Sequence, residues 1–153
     1  MADEITLKAF EKEKVPFQKL HDWLSVAIIK QENHEVVFPI DKTIIKALHQ
    51  SVDGYQFHCV ERKSELKKIS MALRNCALSY ATRMNQYNQL VVVTDDDGNI
   101  MALLEIQRQR IVQAKLFANK QVSTSDSINR ACADYSKRTN LSCQTRDIDM
   151  EAA

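Results

Sequence analysis

The sequence predicts an α+β domain, a three- or four-stranded antiparallel meander sheet with helices packed on one face. Three observations predict it. Apolar residues recur at three and four residues in several segments, the spacing of one helical face. Asp97-Gly98 lies between two β-branched, aliphatic runs, the strongest short-range hairpin signal. Only 2 glycines and 2 prolines occur in 153 residues, so regular structure dominates and long loops are few.

From Pro16, a first-turn proline, the residues Phe17, Leu20, Trp23, Leu24, Ala27 and Ile28 form one apolar stripe on a helix, with Trp23 in the core. Phe38-Pro39 breaks that run. Asp41 caps a second helix through Ile44, Ile45 and Leu48, and Asp53-Gly54 supplies a turn into a short strand, Tyr55 to Val60. Ser64 caps a third helix carrying Leu66, Ile69 and Leu73. That helix either breaks before, or continues into, the segment with Cys76, Ala77, Tyr80 and Met84. Leu90 to Thr94 and Ile100 to Ile106 form the hairpin, a polar turn at Gln107 to Gln109 follows, and Arg110 to Leu116 completes the meander. Ser123 or Thr124 starts a last helix with Ile128, Ala131, Cys132 and Tyr135 toward the core. Residues 1–15 are expected to be an extension, 16–141 a single domain, and 142–153 a flexible tail.

A two-residue turn at Asp97-Gly98 fixes the register of the first strand pair. One face then carries Val91, Val93, Ala102, Leu104, Ile106, Val112, Ala114 and Leu116, and packs on the helices. The other carries Leu90, Val92, Leu103 and Ile111 together with Glu105, Gln113 and Lys115, with Glu105 and Gln113 in diagonal contact. The bland reading of the charges is a Glu105–Lys115 ion pair on a half-wet sheet, nearly neutral in energy. Yet a face mixing these groups with four aliphatic residues is too apolar for plain solvent surface, so a helix, a second chain or a ligand should cover it.

Composition excludes much. Lys plus Arg number 21 against 20 Asp plus Glu, so no overall field steers the chain toward nucleic acid or a membrane. So little glycine leaves no phosphate-cradling loop of the nucleotide-binding type. No apolar run approaches the roughly 18 residues of a membrane span, and Met1 is followed by Asp3, Glu4 and Lys8 rather than a signal peptide. The four cysteines, Cys59, Cys76, Cys132 and Cys143, show no Cys-x-x-Cys pair. An unprocessed cytoplasmic protein is expected, with no cofactor and no metal.

Cys76 and Tyr80 lie four apart with Leu73 and Met84 on one helical face, which favours a buried, inert thiol. A sharper reading makes Cys76 a nucleophile near a helix start, with His58 as its base. His58 and Cys59 point to opposite sides of a strand and so share no metal. Arg74, Arg83, Arg108, Arg110 and Lys115 offer phosphate contacts, but neither a helix-turn-helix with a basic recognition helix nor an aromatic strand platform accompanies them. Nucleic acid is therefore not the favoured partner.

The order Phe38-Pro39, Ser64-Glu65-Leu66, Leu73-x-Asn75-Cys76-Ala77-x-x-Tyr80, Leu104-Glu105-Ile106, Val112-Gln113 and Asn119 resembles the PcfJ-like family, named after a conjugative-plasmid protein. The resemblance runs from about Trp23 to Leu141. It implies a role on plasmids, phages or similar elements, with no reaction attached. The family's central motif usually reads His-Cys-Val-Gly-x-Tyr, whereas here Asn75 stands for the histidine and Leu78 for the glycine, and Gln121 with Val122 replace its prolines. An amide cannot shuttle protons as imidazole does. The expectation is therefore a binding or accessory module of a mobile genetic element that contacts a partner protein or a second copy of itself. Its surface is the Glu105, Gln113, Lys115 face with Arg74, Asn75 and Tyr80, to which the resemblance adds Asn119. The alternatives are a cysteine-dependent enzyme using Cys76 and a nucleic-acid-binding regulator.

Overall fold

The structure is a computed structural model that describes residues 36–152, and the chain from Phe38 onward forms a unit of its own. The first predicted helix, with Trp23, and the 1–15 extension lie outside the described residues.

Helix α1, Lys42–Leu48, starts at Asp41 as expected, but the Asp41 side chain makes no capping bond. Its carbonyl instead accepts the N–H groups of Ile44 and Ile45 at 3.0 and 3.1 Å. Strands β1, Gln50–Val52, and β2, Tyr55–Cys59, follow. Asp53 and Gly54 join them with φ of 52° and 84°, the left-handed pair whose twist suits a hairpin. The Asp-Gly turn and β2 are legible in the sequence; β1 is too short to show alternation.

Helix α2, Lys63–Leu73, begins one residue before the expected Ser64 cap, with Arg62 at the cap position. Among the described residues no side chain caps the first turn; the Glu65 carboxylate instead reaches back to accept the Glu61 N–H at 3.1 Å, which fixes the chain entering the helix. Arg74 ends the helix in a left-handed conformation, φ 49° and ψ 58°, which locates the break that spacing leaves open. A 3₁₀ helix, Ala77–Thr82, comes next, then β3, Asn88–Thr94, β4, Ile100–Gln107, and β5, Arg110–Lys115. A further 3₁₀ turn, Val122–Thr124, leads into α3, Asp126–Thr139, whose Ile128, Ala131, Cys132 and Tyr135 are all buried as expected. Strand β6, Ser142–Cys143, closes the order.

The six strands lie in chain order, antiparallel except for the parallel pair β5 and β6. The expected antiparallel meander is thus the centre of a larger mixed sheet. Its added members, β1 and β6, have three and two residues, too few to carry a period of two.

The expected register of β3 on β4 survives a different turn. Asp95 pairs with Asn99 through the backbone, and Gly98, φ 83°, sits in a three-residue loop rather than a two-residue one. A bulge between Val93 and Thr94 removes the offset, so Val93 still faces Ala102 and Val91 still faces Leu104. A second bulge changes the next pair. Glu105 faces Gln113 but Ile106 faces Ile111, so Ile111 turns to the buried face and Val112 takes the half-buried one. This reverses the expected placement of both, because one extra residue flips every side chain beyond it.

The β4–β5 turn is two residues, Arg108 and Gln109, both left-handed with φ of 51° and 66°. Each side chain here sits in a conformation that costs an L-residue about 1–2 kcal/mol. Gln109→Gly is expected to raise the unfolding free energy by about 0.5–1 kcal/mol, the relief of strain less the added unfolded-state entropy. Urea denaturation reads it, and a loss of stability would mean that the Gln109 side chain contributes more than its backbone costs.

Helices cover both faces, not one. Phe57, Val91, Val93, Ala102, Leu104, Ile106 and Ala114 are fully buried on the face toward α3, where Tyr135 stacks on Phe57 with ring centroids 4.2 Å apart. On the other face Leu90, Val92 and Leu103 are buried as well. There α2 packs on β4, and its Glu65 meets His58 of β2 at 3.7 Å. That face holds too much aliphatic surface to stay wet, which is why the chain folds a helix back over it.

The expected flexible tail packs instead. Asp147 and Ile148 are 6% and 3% exposed. Asp147 runs beside β5, where its carboxylate accepts the Ala114 N–H at 3.0 Å and its carbonyl accepts the Ser123 N–H at 2.7 Å. Buried Asn129 of α3 donates to the Asp149 carbonyl and accepts the Asp149 N–H, at 2.9 and 2.8 Å. The segment shields an otherwise open sheet edge. Among the described residues no helix is long and apolar enough to cross a membrane.

Candidate functional site

The break at Arg74 shapes the site. With α2 ended, Asn75 can turn its side chain back on the chain, and its Oδ1 accepts the Ala77 N–H at 3.0 Å. Ser70 Oγ accepts the Leu78 N–H at 2.9 Å, and Ser79 Oγ donates to the Cys76 carbonyl at 2.7 Å. These bonds pin the 3₁₀ helix across the mixed face of β4 and β5. Tyr80 points down onto that face, and its hydroxyl donates to Glu105 Oε1 at 2.9 Å. Burial and then the Glu105 hydrogen bond raise the Tyr80 phenol above its ordinary range, while Arg83 opposes them. Gln107 Nε2 donates to the other oxygen, Glu105 Oε2, at 2.7 Å.

Beside this pair opens a cavity of about 240 Å³. Leu90 and Leu103 give it apolar wall, and Asn75, Cys76, Tyr80, Glu105, Gln113, Lys115 and Asn119 line the rest. Six of the seven expected binding residues therefore meet in one place. The seventh, Arg74, stands at the edge, its guanidinium 5.7 Å from the centre of the Phe117 ring. Asn119 arrives because Ala118 and Asn119 both take left-handed conformations after β5, with φ of 56° and 60°.

Three sequence readings change. Lys115 pairs with Asp147 at 3.0 Å, not with Glu105, and Glu105 and Gln113 are direct rather than diagonal partners. Cys76 is exposed at the cavity, because the chain break rotates it off the core stripe that helical spacing would give it. His58 shares the sheet face but lies toward Glu65; from its partner Val92 the next strand over carries Leu103, roughly 10 Å away across the sheet. Among the described residues no histidine lines the cavity. Burial lifts the Cys59 and Cys132 thiols to about 12, so both are neutral.

The residues missed from sequence are Asp147 and Gln107, which hold Lys115 and Glu105. Asp147 lies in no periodic pattern that would flag it, whereas Gln107 follows Glu105 by two residues on the same face of β4, a signal that strand alternation does carry. The basic residues are spread out: Arg74, Arg83 and Arg108 each lie over an aromatic ring, of Phe117, Tyr80 and Tyr87, at 5.7, 5.4 and 5.8 Å.

Chemically the cavity offers hydrogen-bonding groups, and among the described residues the exposed Cys76 thiol makes no hydrogen bond to a base. The Gln113 carboxamide and the Asn75 Nδ2 make no hydrogen bond among the described residues, whereas both Glu105 oxygens are engaged. Outside the lining, Leu78, next in sequence to the lining residue Ala77, and Phe117, under the Arg74 guanidinium, are 38% and 48% exposed.

No curated protein and no solved structure matches the chain. The PcfJ-like protein family does match, over residues 8–129, beginning and ending earlier than the resemblance of the motifs suggests. That span holds α1, α2 and the strands β1 to β5, with every residue that lines the cavity, and the chain belongs to the PcfJ-like family.

Proposed function

We propose that this chain is a binding and accessory module of a mobile genetic element, a plasmid or phage, that holds a partner protein at the cavity between the 3₁₀ helix and the β4–β5 face. The observation that carries the reading is the set of unpartnered amides, Asn75 Nδ2 and Gln113, around an apolar wall with exposed Leu78 and Phe117 outside. Amide groups of this kind suit the carbonyls and N–H groups of a polypeptide, and exposed aromatic and aliphatic side chains supply contact area. The mobile-element role rests on the family.

The test is partner capture from the native host by wild type and by two variants. Cys76→Trp fills the cavity from an exposed position, and Phe117→Ser removes the exposed aromatic ring outside it. Each is expected to weaken capture by about tenfold or more, the scale of a central contact. Asp96→Ala, in the exposed β3–β4 loop, should leave it unchanged. Undiminished capture by both variants would overturn the reading. Capture that instead falls steeply with salt and survives only with nucleic acid present would favour a phosphate-contacting regulator.

A further inference from the structure

The opposite face of the sheet carries a second and larger cavity, of about 600 Å³, at the end where β3, β4 and the C-terminus of α3 meet α1. Its apolar wall is Ile44, Leu48, Ile106 and Leu141. The volume falls within the roughly 300–1,000 Å³ of small-molecule sites, and polar side chains, Gln86, Gln89, Gln109, Thr139 and Asn140 among them, stand around the aliphatic wall.

One of those polar groups is only half satisfied. Gln89 lines the cavity and is only 4% exposed. It is there because β3 pairs it with Ile106 on the buried face. Its Nε2 donates to the carbonyls of Asn85 and Gln86, both at 2.8 Å. Two carbonyl acceptors fix which end of the amide is nitrogen, so the other end is Oε1, an acceptor. Among the described residues nothing donates to it. Buried polar atoms are nearly always satisfied, and one left open beside a cavity marks where a donor belongs.

The charges narrow the class. Among the described residues no carboxylate lines the cavity to pair with a cation, and its one guanidinium, Arg108, lies 5.8 Å over the Tyr87 ring. We propose that this cavity binds an uncharged, mostly apolar small molecule whose N–H or O–H group donates to Gln89 Oε1. It is separate from the partner site, since Ile106 and Glu105 are adjacent on β4 and face opposite ways.

Indole and 1-methylindole are the probes, because they share an apolar double ring and differ in the single donor. In ¹H–¹⁵N NMR titrations of the full chain, indole is expected to shift the Gln89 side-chain amide and the backbone amides of Leu48, Ile106 and Leu141. The methylated probe should bind about tenfold more weakly, since it leaves the buried acceptor open. Gln89→Met keeps the shape and removes the acceptor, and should bring the two probes within about twofold of each other. Should that variant not fold, Ala47→Trp, at an exposed lining position, fills the cavity and should abolish binding of both. Equal binding of the two probes by wild type would overturn the proposal. So would shifts centred on Asn75 and Gln113, or none at millimolar probe.

Discussion

Replacing Phe57 with alanine is expected to lower the unfolding free energy by about 3–5 kcal/mol, enough to unfold much of a domain of ordinary stability. Phe57 is 0% exposed on β2, with β1 on one side and β3 on the other. Its ring lies nearly parallel to that of Tyr135, at 9° and 4.2 Å between centroids. Tyr135 in turn donates its hydroxyl to the Leu48 carbonyl at 2.7 Å, at the end of α1. One stacked pair therefore joins sheet, α1 and α3. Deleting the Phe57 ring removes its transfer free energy and opens a void between rigid elements that cannot close on it. Urea denaturation with an unchanged slope would report the loss as a shift of midpoint alone. A cost below about 2 kcal/mol would show that α3 settles into the space, since collapse of the cavity is what separates small from large penalties.

How much of the site is legible in the sequence depends on which interaction builds each part. Glu105 and Gln113 were readable because a strand's alternation alone places both on one face, and cross-strand pairing then sets them opposite each other. Ile111 and Val112 were not, because a bulge between Glu105 and Ile106 exchanges their faces and no residue announces it. The same limit governs Cys76. Helical spacing from Leu73 buries it, but the helix stops at Arg74, a residue with no special liking for φ of 49°. With glycine at that position the stop would have been evident. Asn119 reaches the cavity through two further left-handed residues, equally silent in composition. The Asp53-Gly54 turn shows the converse: where the residue types match the conformation, the turn can be read directly.

Asp147 is the sharpest case, and its removal is the second large effect. Asp147→Ala is expected to cost about 2–4 kcal/mol, because it strips two donors at once in a place with little water. Oδ2 accepts the buried Ala114 N–H at 3.0 Å and Oδ1 accepts Lys115 Nζ at 3.0 Å, with the two side chains 22% and 9% exposed for lysine and aspartate. A side chain bonded to a strand's backbone leaves no periodic trace, so the segment reads as loose tail. Asp147→Asn separates the two parts. The amide oxygen still receives the Ala114 N–H, so any further cost of the alanine belongs to that backbone bond and the orphaned donor. Lys115→Met in both backgrounds completes a double-mutant cycle, and a coupling of about 0.5–3 kcal/mol is expected between contacting groups. No coupling would mean that the ion pair is incidental. Lys115 also lines the cavity proposed for the partner, so releasing it from Asp147 places a mobile cation beside Glu105 and Gln113. If the partner meets these residues, Asp147→Asn should change its capture at temperatures where the domain remains folded, while Phe57→Ala should change it only as the fold is lost.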